Sequence, residues 1–191
     1  MPQPSTTHRR ERLTDGRDAK DRRILDFLLA QDGSTTRLCE AIAGGQIELH
    51  VVYQQTTRAV PAFVRSHLPG ELFIERVTFL AAHGEVFMDN LTFVALEYLP
   101  SGVKDDLLRG KVPVGHLLRH MWVRRERLED VPELSQQLWK FEGLPDPEAT
   151  RTYQILTREG PCMVITETFR RGMTLDFARP SSPLGASALS Q

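Results

Sequence analysis

The sequence is poor in several features that would have pointed to a function at once. It has only two cysteines, Cys39 and Cys162, too few for a disulfide framework and without the spacing of a zinc site. It has no GxSxG elbow, no GxxxxGKS/T loop and no GxGxxG after a strand, which leaves serine hydrolases, phosphate-loop enzymes and dinucleotide-binding enzymes without support. We expect the two cysteines to be buried thiols in a reducing cytoplasm.

The chain also lacks an excess of charge and a long apolar run. Its 24 basic and 25 acidic residues leave a net charge of −1, so no global field attracts it to nucleic acid or to an anionic membrane. No run approaches the roughly 18 apolar residues of a membrane span, and the N-terminus lacks the apolar core of a signal peptide. We therefore expect a soluble, cytoplasmic protein that binds neither nucleic acid nor a membrane.

The length of 191 residues suits one domain of ordinary size. Residues 1–20 are polar, and residues 176–191 are mostly small. Neither segment can bury enough apolar surface to offset its chain entropy, so both are predicted to be flexible tails. The predicted domain is residues 21–175.

Within that domain, the patterning predicts two helices followed by hairpin-connected strands. Helical spacing around Ile24 marks the first helix, and the second begins at Ser34 as its N-cap and ends at Gly44. Alternating apolar residues then predict strands, with a turn at His83-Gly84 and one helical interruption near Pro113. This order indicates an α+β domain built on an antiparallel sheet.

Two charged residues fall on apolar faces of predicted strands. In ELFIERVTFL, Arg76 shares a face with Leu72, Ile74 and Leu80, and in CMVITETF, Glu167 shares a face with Ile165. A buried charge needs a partner, because an unpaired one costs several kcal/mol. Arg76 and Glu167 either form a buried salt bridge or serve a function. In the second case Arg76 binds an anionic ligand, and Glu167 is a carboxyl group whose burial raises its pKa for proton transfer.

Other charged clusters favour structural interpretations. His116 and His120 lie four residues apart but have no HExxH motif and no third ligand, so we interpret them as solvated helix histidines. Arg124, Arg125 and Arg127 alternate with acidic residues, which is typical of an exposed strand face.

Four segments, in their order and spacing, resemble the chorismate pyruvate-lyase family, in particular its actinobacterial branch that makes 4-hydroxybenzoate. The segments are DGSTTRLCEAI, ERVTFLAAHGEVFMDNLTFVALEYLP, KVPVGHLLR and RTYQILTREGPCMVITETF. The resemblance spans residues 24–170. It implies a single antiparallel sheet with packed helices, and helical flaps that cover an internal site.

The resemblance also implies an activity and its residues. The family's members are lyases of aromatic biosynthesis that eliminate pyruvate from chorismate and leave 4-hydroxybenzoate, with no metal or organic cofactor. Their substrate-binding arginine corresponds to Arg76, and their essential glutamate, the general acid/base, to Glu167. A substrate-binding backbone amide corresponds to Val114, where leucine is usual, and a flap residue to Thr35, where some members have an apolar side chain. We expect a monomer whose partner is the substrate alone.

Two other functions stay open. The same fold resembles effector-binding domains of transcription regulators, which bind a small molecule without catalysis. A related lyase would act on a different enolpyruvyl cyclohexadiene. No helix-turn-helix is recognisable before the domain, which favours the enzyme, and release of pyruvate from chorismate distinguishes the three functions.

Overall fold

A computed structural model describes residues 7–15, 18–129 and 131–177. This part of the chain contains six α-helices: α1 (Ala19–Ala30), α2 (Thr35–Ala43), α3 (Ala62–His67), α4 (Ser101–Arg109), α5 (Val114–Leu117) and α6 (Pro132–Glu142). It also contains six strands: β1 (Glu48–Thr57), β2 (Phe73–Ala82), β3 (Glu85–Ala95), β4 (Arg124–Leu128), β5 (Thr150–Thr157) and β6 (Gly160–Phe169). The strands form one antiparallel sheet in the order β1-β2-β3-β6-β5-β4. The predicted fold class is therefore confirmed.

Helix α2 begins and ends where the sequence predicts. The Ser34 side chain accepts a hydrogen bond from the Arg37 backbone N–H at 3.4 Å, and Gly44 ends the helix in the left-handed conformation, with φ of 70°. A short polar N-cap satisfies an amide that has no partner inside the helix, and glycine adopts positive φ without a Cβ clash. These two ends place Thr35 in the first turn, where its side chain is buried.

The β2–β3 hairpin has the predicted turn. His83 and Gly84 both have positive φ, 54° and 78°, which matches the two-residue turn whose twist suits antiparallel strands. The strained His83 is held because its Nε2 lies 2.8 Å from the Ala43 carbonyl oxygen. The hairpin sets the register that places Arg76 opposite Thr92.

The two faces of the sheet are covered by different helices. The inner face, which carries Ile74 and Leu80, packs against α1, α2, α4 and α5. The outer face, which carries Phe73 and Val77, packs against α3 and α6. No helix or strand is predicted from the sequence where α6 lies, although Leu134 and Leu138, one turn apart, are buried. None of the helices in the described ranges is long and apolar enough to cross a membrane.

Residues 7–15, which fall within the predicted N-terminal tail, contact the sheet in the structure. The Arg9 backbone donates a hydrogen bond to the Gly84 carbonyl oxygen at 2.7 Å and accepts one from the Val86 N–H at 2.8 Å. Leu13 is buried, and the half-buried Arg10 contacts two buried carboxylates, those of Asp89 and Glu142. Backbone hydrogen bonds and ion pairs hold this segment. Such interactions cannot be predicted from its content of apolar residues. Of the predicted C-terminal tail, residues 178–191 lie outside the described part of the chain.

Candidate functional site

A row of polar side chains crosses four adjacent strands on the inner face. Thr78 of β2 pairs with Asn90 of β3, Asn90 with Glu167 of β6, and Glu167 with Arg151 of β5. Directly opposite residues in an antiparallel sheet point to the same face. Arg76 is two residues before Thr78 and therefore lies on this face too. The predicted alternation of β2 and β6 is thus matched by the register of the sheet.

A cavity lies between this row and the first turns of α2 and α5. Its lining includes Thr35, Arg76, Val114 and Glu167, so the structure brings together all four residues named from the sequence. The cavity measures only about 40 Å³, which is room for a few water molecules. A ligand with a six-membered ring therefore requires the covering helices to move apart.

The two covering helices touch each other at Gly115 of α5. A Cβ atom built on Gly115 would lie 2.4 Å from Thr36 Oγ1 and 2.8 Å from Ser34 Oγ. Both distances are far below van der Waals contact, so this crossing requires glycine. The starts of α2 and α5 thus form one cover over the cavity, which we call the flap contact.

Arg76 is a buried cation that faces the cavity without a counter-charge. Arg76 is only 1% exposed. Its Nη1 and Nη2 donate hydrogen bonds to the carbonyl oxygens of Val112 and Gly110, at 3.4 and 3.1 Å. Its Nε has no partner, and no carboxylate in the described ranges lies within 4.0 Å of the guanidinium. Burial lowers the pKa of Arg76 to about 10, so it stays charged at neutral pH. Such a group is suited to bind an anion.

Glu167 pairs with Arg151 and not with Arg76. Its Oε1 lies 2.5 Å from Arg151 Nη2 and accepts hydrogen bonds from Arg151 Nε at 2.7 Å and from Thr35 Oγ1 at 3.0 Å. Its Oε2 accepts one from the Tyr153 hydroxyl at 3.2 Å. A salt bridge between Arg76 and Glu167, the structural alternative left open by the sequence, is therefore absent from this site.

Arg151 was not recognised from the sequence as a site residue. It donates hydrogen bonds from Nη1 to the carbonyl oxygens of Leu28 at 2.7 Å and Gln31 at 2.6 Å, at the end of α1. Arg151 thus connects that helix end to Glu167 and fixes the orientation of the carboxylate. The signal was present, because Arg151 is one charge on the apolar face that Tyr153 and Ile155 continue along β5.

Tyr153 can act only as a donor towards Glu167. Burial, followed by the charge of Glu167, raises the pKa of Tyr153, so its hydroxyl keeps its proton. Its hydrogen bond and that of Thr35 reach different oxygens of the carboxylate, which leaves Glu167 with a defined rotamer at the cavity wall.

A second guanidinium, that of Arg125, lines the cavity from β4. Its Nη1 donates a hydrogen bond to the Asp32 carbonyl oxygen at 3.3 Å, and its buried Nε has no partner. The prediction that Arg124, Arg125 and Arg127 mark one exposed face is wrong for Arg125, which is half-buried and opposite Ile155 on the inner face. Its neighbours Arg124 and Arg127 are exposed.

The two helix histidines do not share a ligand. His116 Nε2 lies 2.9 Å from Glu40 Oε1, whereas His120 accepts a hydrogen bond from Arg119 Nε at 2.8 Å. The α-helix ends between them, at Leu117, so their spacing of four does not place them on one helical face. His120 is exposed, as predicted, and His116 is half-buried.

These features define an α+β protein whose single sheet and two covering helices enclose a cavity with a buried carboxylate beside unpaired cationic groups. Residues 29–175 match the family described as Rv2949c-like chorismate pyruvate-lyase. Since this match covers most of the chain, the protein belongs to the Rv2949c-like chorismate pyruvate-lyase family.

Individual relatives are more distant. The chain is 23% identical over 176 residues to the chorismate pyruvate-lyases of Mycobacterium tuberculosis (strain ATCC 25618 / H37Rv) and Mycobacterium bovis (strain ATCC BAA-935 / AF2122/97), with 86% of this chain and 88% of each relative covered. A similar solved structure is the C-terminal domain of the histidine utilization repressor from Pseudomonas syringae pv. tomato. Its TM-score is 0.44 at 9% identity, with 72% of this chain and 100% of that chain covered.

Proposed function

We propose that this protein is a chorismate lyase that releases pyruvate and 4-hydroxybenzoate. The observation that carries the proposal is Arg76, a buried cation at the cavity whose partners are two carbonyl oxygens and no carboxylate. Family membership supplies the substrate, a dicarboxylate with an enolpyruvyl ether. The ring carboxylate of chorismate binds Arg76, because a planar guanidinium holds a carboxylate through two parallel hydrogen bonds.

The second carboxylate of chorismate, on the enolpyruvyl group, binds Arg125. Arg125 lines the same cavity and its buried Nε has no hydrogen-bond partner, so the two guanidinium groups match the two negative charges of the substrate. The product 4-hydroxybenzoate keeps only the ring carboxylate. Arg125 therefore distinguishes substrate from product, whereas Arg76 binds both.

Glu167 transfers the proton. Its carboxylate takes the hydrogen from the ring carbon that bears the hydroxyl group, and the electrons of that C–H bond form the new ring double bond. The ether bond between the neighbouring ring carbon and the enolpyruvyl oxygen breaks, and its electrons leave with that oxygen. Glu167 then returns the proton to the departing enolpyruvate, which becomes pyruvate. Aromatisation supplies much of the driving force, so the protein has to orient the substrate and move one proton.

The other residues position these groups. Arg151, Thr35 and Tyr153 hold the Glu167 carboxylate through the contacts described above. The backbone N–H of Val114, at the start of α5, donates to the ring carboxylate, and the flap contact excludes water from the closed site. No step requires a metal or an organic cofactor.

Incubation of the protein with chorismate tests the proposal, with pyruvate and 4-hydroxybenzoate each quantified. Equal amounts of both products are expected. Binding of 4-hydroxybenzoate without any release of pyruvate would identify an effector-binding protein. Release of pyruvate from isochorismate, but not from chorismate, would identify a lyase with a different substrate. Chelator treatment is expected to leave the rate unchanged.

A further inference from the structure

Three potential metal ligands converge outside the cavity, on the outer face of the sheet. Glu48 and His50 are two residues apart in β1 and therefore point to the same side. His8, in the segment that precedes α1, lies against them. His50 pairs with Phe79 of the outer face across the β1–β2 ladder, so the sheet separates this group from the cavity lined by Arg76 and Glu167.

The distances between the ligand atoms suit a single ion. His8 Nε2 and His50 Nε2 lie 3.1 and 3.2 Å from the same oxygen of Glu48, Oε2, and all three ligand atoms lie within 4.8 Å of one another. Zinc binds histidine nitrogen and carboxylate oxygen at about 2.0–2.2 Å in tetrahedral geometry, which sets ligand atoms about 3.3 Å apart. These two edges are close to that value, and the third edge, between the two histidine nitrogens, is no longer than 4.8 Å.

The rings are held in place before any ion binds. The His50 ring stacks on Phe79 with centroids 4.5 Å apart and planes 8° apart, and the His8 ring contacts the same phenyl group edge-on at 5.7 Å. Solvent still reaches the group, because the side chains of Glu48 and His50 are 56% and 35% exposed. An ion can therefore reach preoriented ligands, with water completing its coordination.

We propose that His8, Glu48 and His50 bind a divalent transition-metal ion of the zinc type, in a site separate from the cavity. The ion fastens residues 7–15 to β1. The next residue after His8, Arg9, already pairs with the β2–β3 hairpin through two backbone hydrogen bonds, so the ion adds a second attachment one residue away. An ion that binds only the folded chain stabilises it by mass action. Two histidines and one carboxylate are a ligand set that zinc accepts with a water in the fourth position.

The test uses the full chain without a histidine tag, stripped of metal by chelator and dialysed. Calorimetric titration with Zn²⁺ is expected to show one saturable site, and the melting temperature is expected to rise with Zn²⁺ concentration. His50→Ala and Glu48→Gln should each weaken Zn²⁺ binding at least tenfold and remove the thermal shift. His120→Ala, which replaces an exposed histidine elsewhere, should do neither. Co²⁺ added to the stripped protein should give the visible absorption of a tetrahedral site.

Two outcomes would overturn the proposal. No saturable binding would mean that the three side chains form a hydrogen-bonded cluster only. Binding that survives both His50→Ala and Glu48→Gln would place the ion elsewhere. Glu48→Gln keeps the size of an exposed side chain, so this variant serves if His50→Ala melts early without metal. The readout does not involve catalysis, and it stands whether or not chorismate is the substrate.

Discussion

Both faces of the sheet bury arginine, but they treat its charge differently. On the outer face, Arg170 is fully buried with its Nε 2.5 Å from Asp89 Oδ2, and Arg10 reaches the same carboxylate at 3.1 Å and Glu142 at 2.5 Å. On the inner face, Arg76 has two carbonyl oxygens and no carboxylate. A buried charge without a counter-charge destabilises a fold. The first arrangement therefore supports the structure, and under the proposed function the carboxylate of the substrate supplies the anion that the second lacks.

Arg151 lies on the inner face and is buried, as Arg76 is, but it has a counter-charge. It is paired with Glu167 like an outer-face arginine, yet its partner lines the cavity. The comparison therefore separates arginines by their counter-charge and not by burial alone. Four predictions test it, in order of expected effect.

Glu167→Gln should reduce chorismate turnover about 10²–10⁴-fold, the usual contribution of general acid–base catalysis. Binding of 4-hydroxybenzoate should change far less, because a group used only in the transition state contributes little to ground-state affinity. Turnover and affinity are measured at a temperature at which the melting curve shows the variant folded, since Arg151 loses its counter-charge. Glu75→Gln, which neutralises a buried carboxylate on the outer face, is the matched control and should stay active. A wild-type rate in Glu167→Gln would exclude proton transfer by this residue.

Arg170→Met and Arg76→Met should change stability in opposite ways. Arg170→Met leaves Asp89 without its closest cation, and breaking a buried pair costs about 3–5 kcal/mol. Arg76→Met replaces an unpaired buried charge with an apolar side chain of similar length, so the free energy of unfolding should stay level or rise. Urea denaturation measures both. Equal losses in the two variants would show that Arg76 is as structural as Arg170.

Arg76→Ala should weaken binding of 4-hydroxybenzoate by about 2–5 kcal/mol, as expected for loss of a buried charged contact. Arg76→Lys should fall between it and the wild type, because lysine keeps the charge and loses the planar fork. Arg125→Ala should raise the KM for chorismate by an amount equivalent to about 1.5–3 kcal/mol, the value of a charged hydrogen bond, and leave 4-hydroxybenzoate binding unchanged.

Arg65→Ala is the matched control for Arg76→Ala and Arg125→Ala. Arg65 also donates to two carbonyl oxygens, those of Gly70 and Arg58, but does not line the cavity. Unaltered product affinity in Arg76→Ala would place Arg76 outside the binding site. Equal effects of Arg125→Ala on substrate and product would assign it to the ring carboxylate or to folding.

The smallest expected effect is on the pH dependence of stability, and it comes from the outer-face ion pairs of Asp89 and Glu142. Burial, followed by the charge of Asp89, raises the pKa of Glu142 from 4.5 to about 7. Between these values the folded protein binds more protons than the unfolded chain, so this group's contribution to stability falls as the pH rises from about 4.5 to 7. Glu142→Gln should remove that part of the slope in the free energy of unfolding against pH. Parallel slopes for the variant and the wild type would contradict the raised pKa.

Local patterns were enough to predict the inner face. Strand alternation has a period of two residues, so the faces of Arg76 and Glu167 follow from their own strands, and the cap at Ser34 places Thr35. The partner of Glu167 could not be predicted, because Arg151 reaches it only through the pairing of β5 with β6 and the end of α1. Arg125 was missed since alternating charge is typical of solvated strands. Residues 7–15 were missed because they are held by hydrogen bonds and ion pairs.

The register of the sheet and the flap contact each position a different set of cavity residues. Arg76 and Glu167 belong to central strands, where a slip of one residue would turn every side chain of a strand to the opposite face. Thr35 and Val114 belong to the first turns of helices, whose side chains the strand register does not fix, although the crossing of those helices requires Gly115. Under the proposed function, related chains can therefore change their choice of ligand through the helices while the strands keep the reacting groups in place. In such a lineage, a new specificity needs no new chemistry.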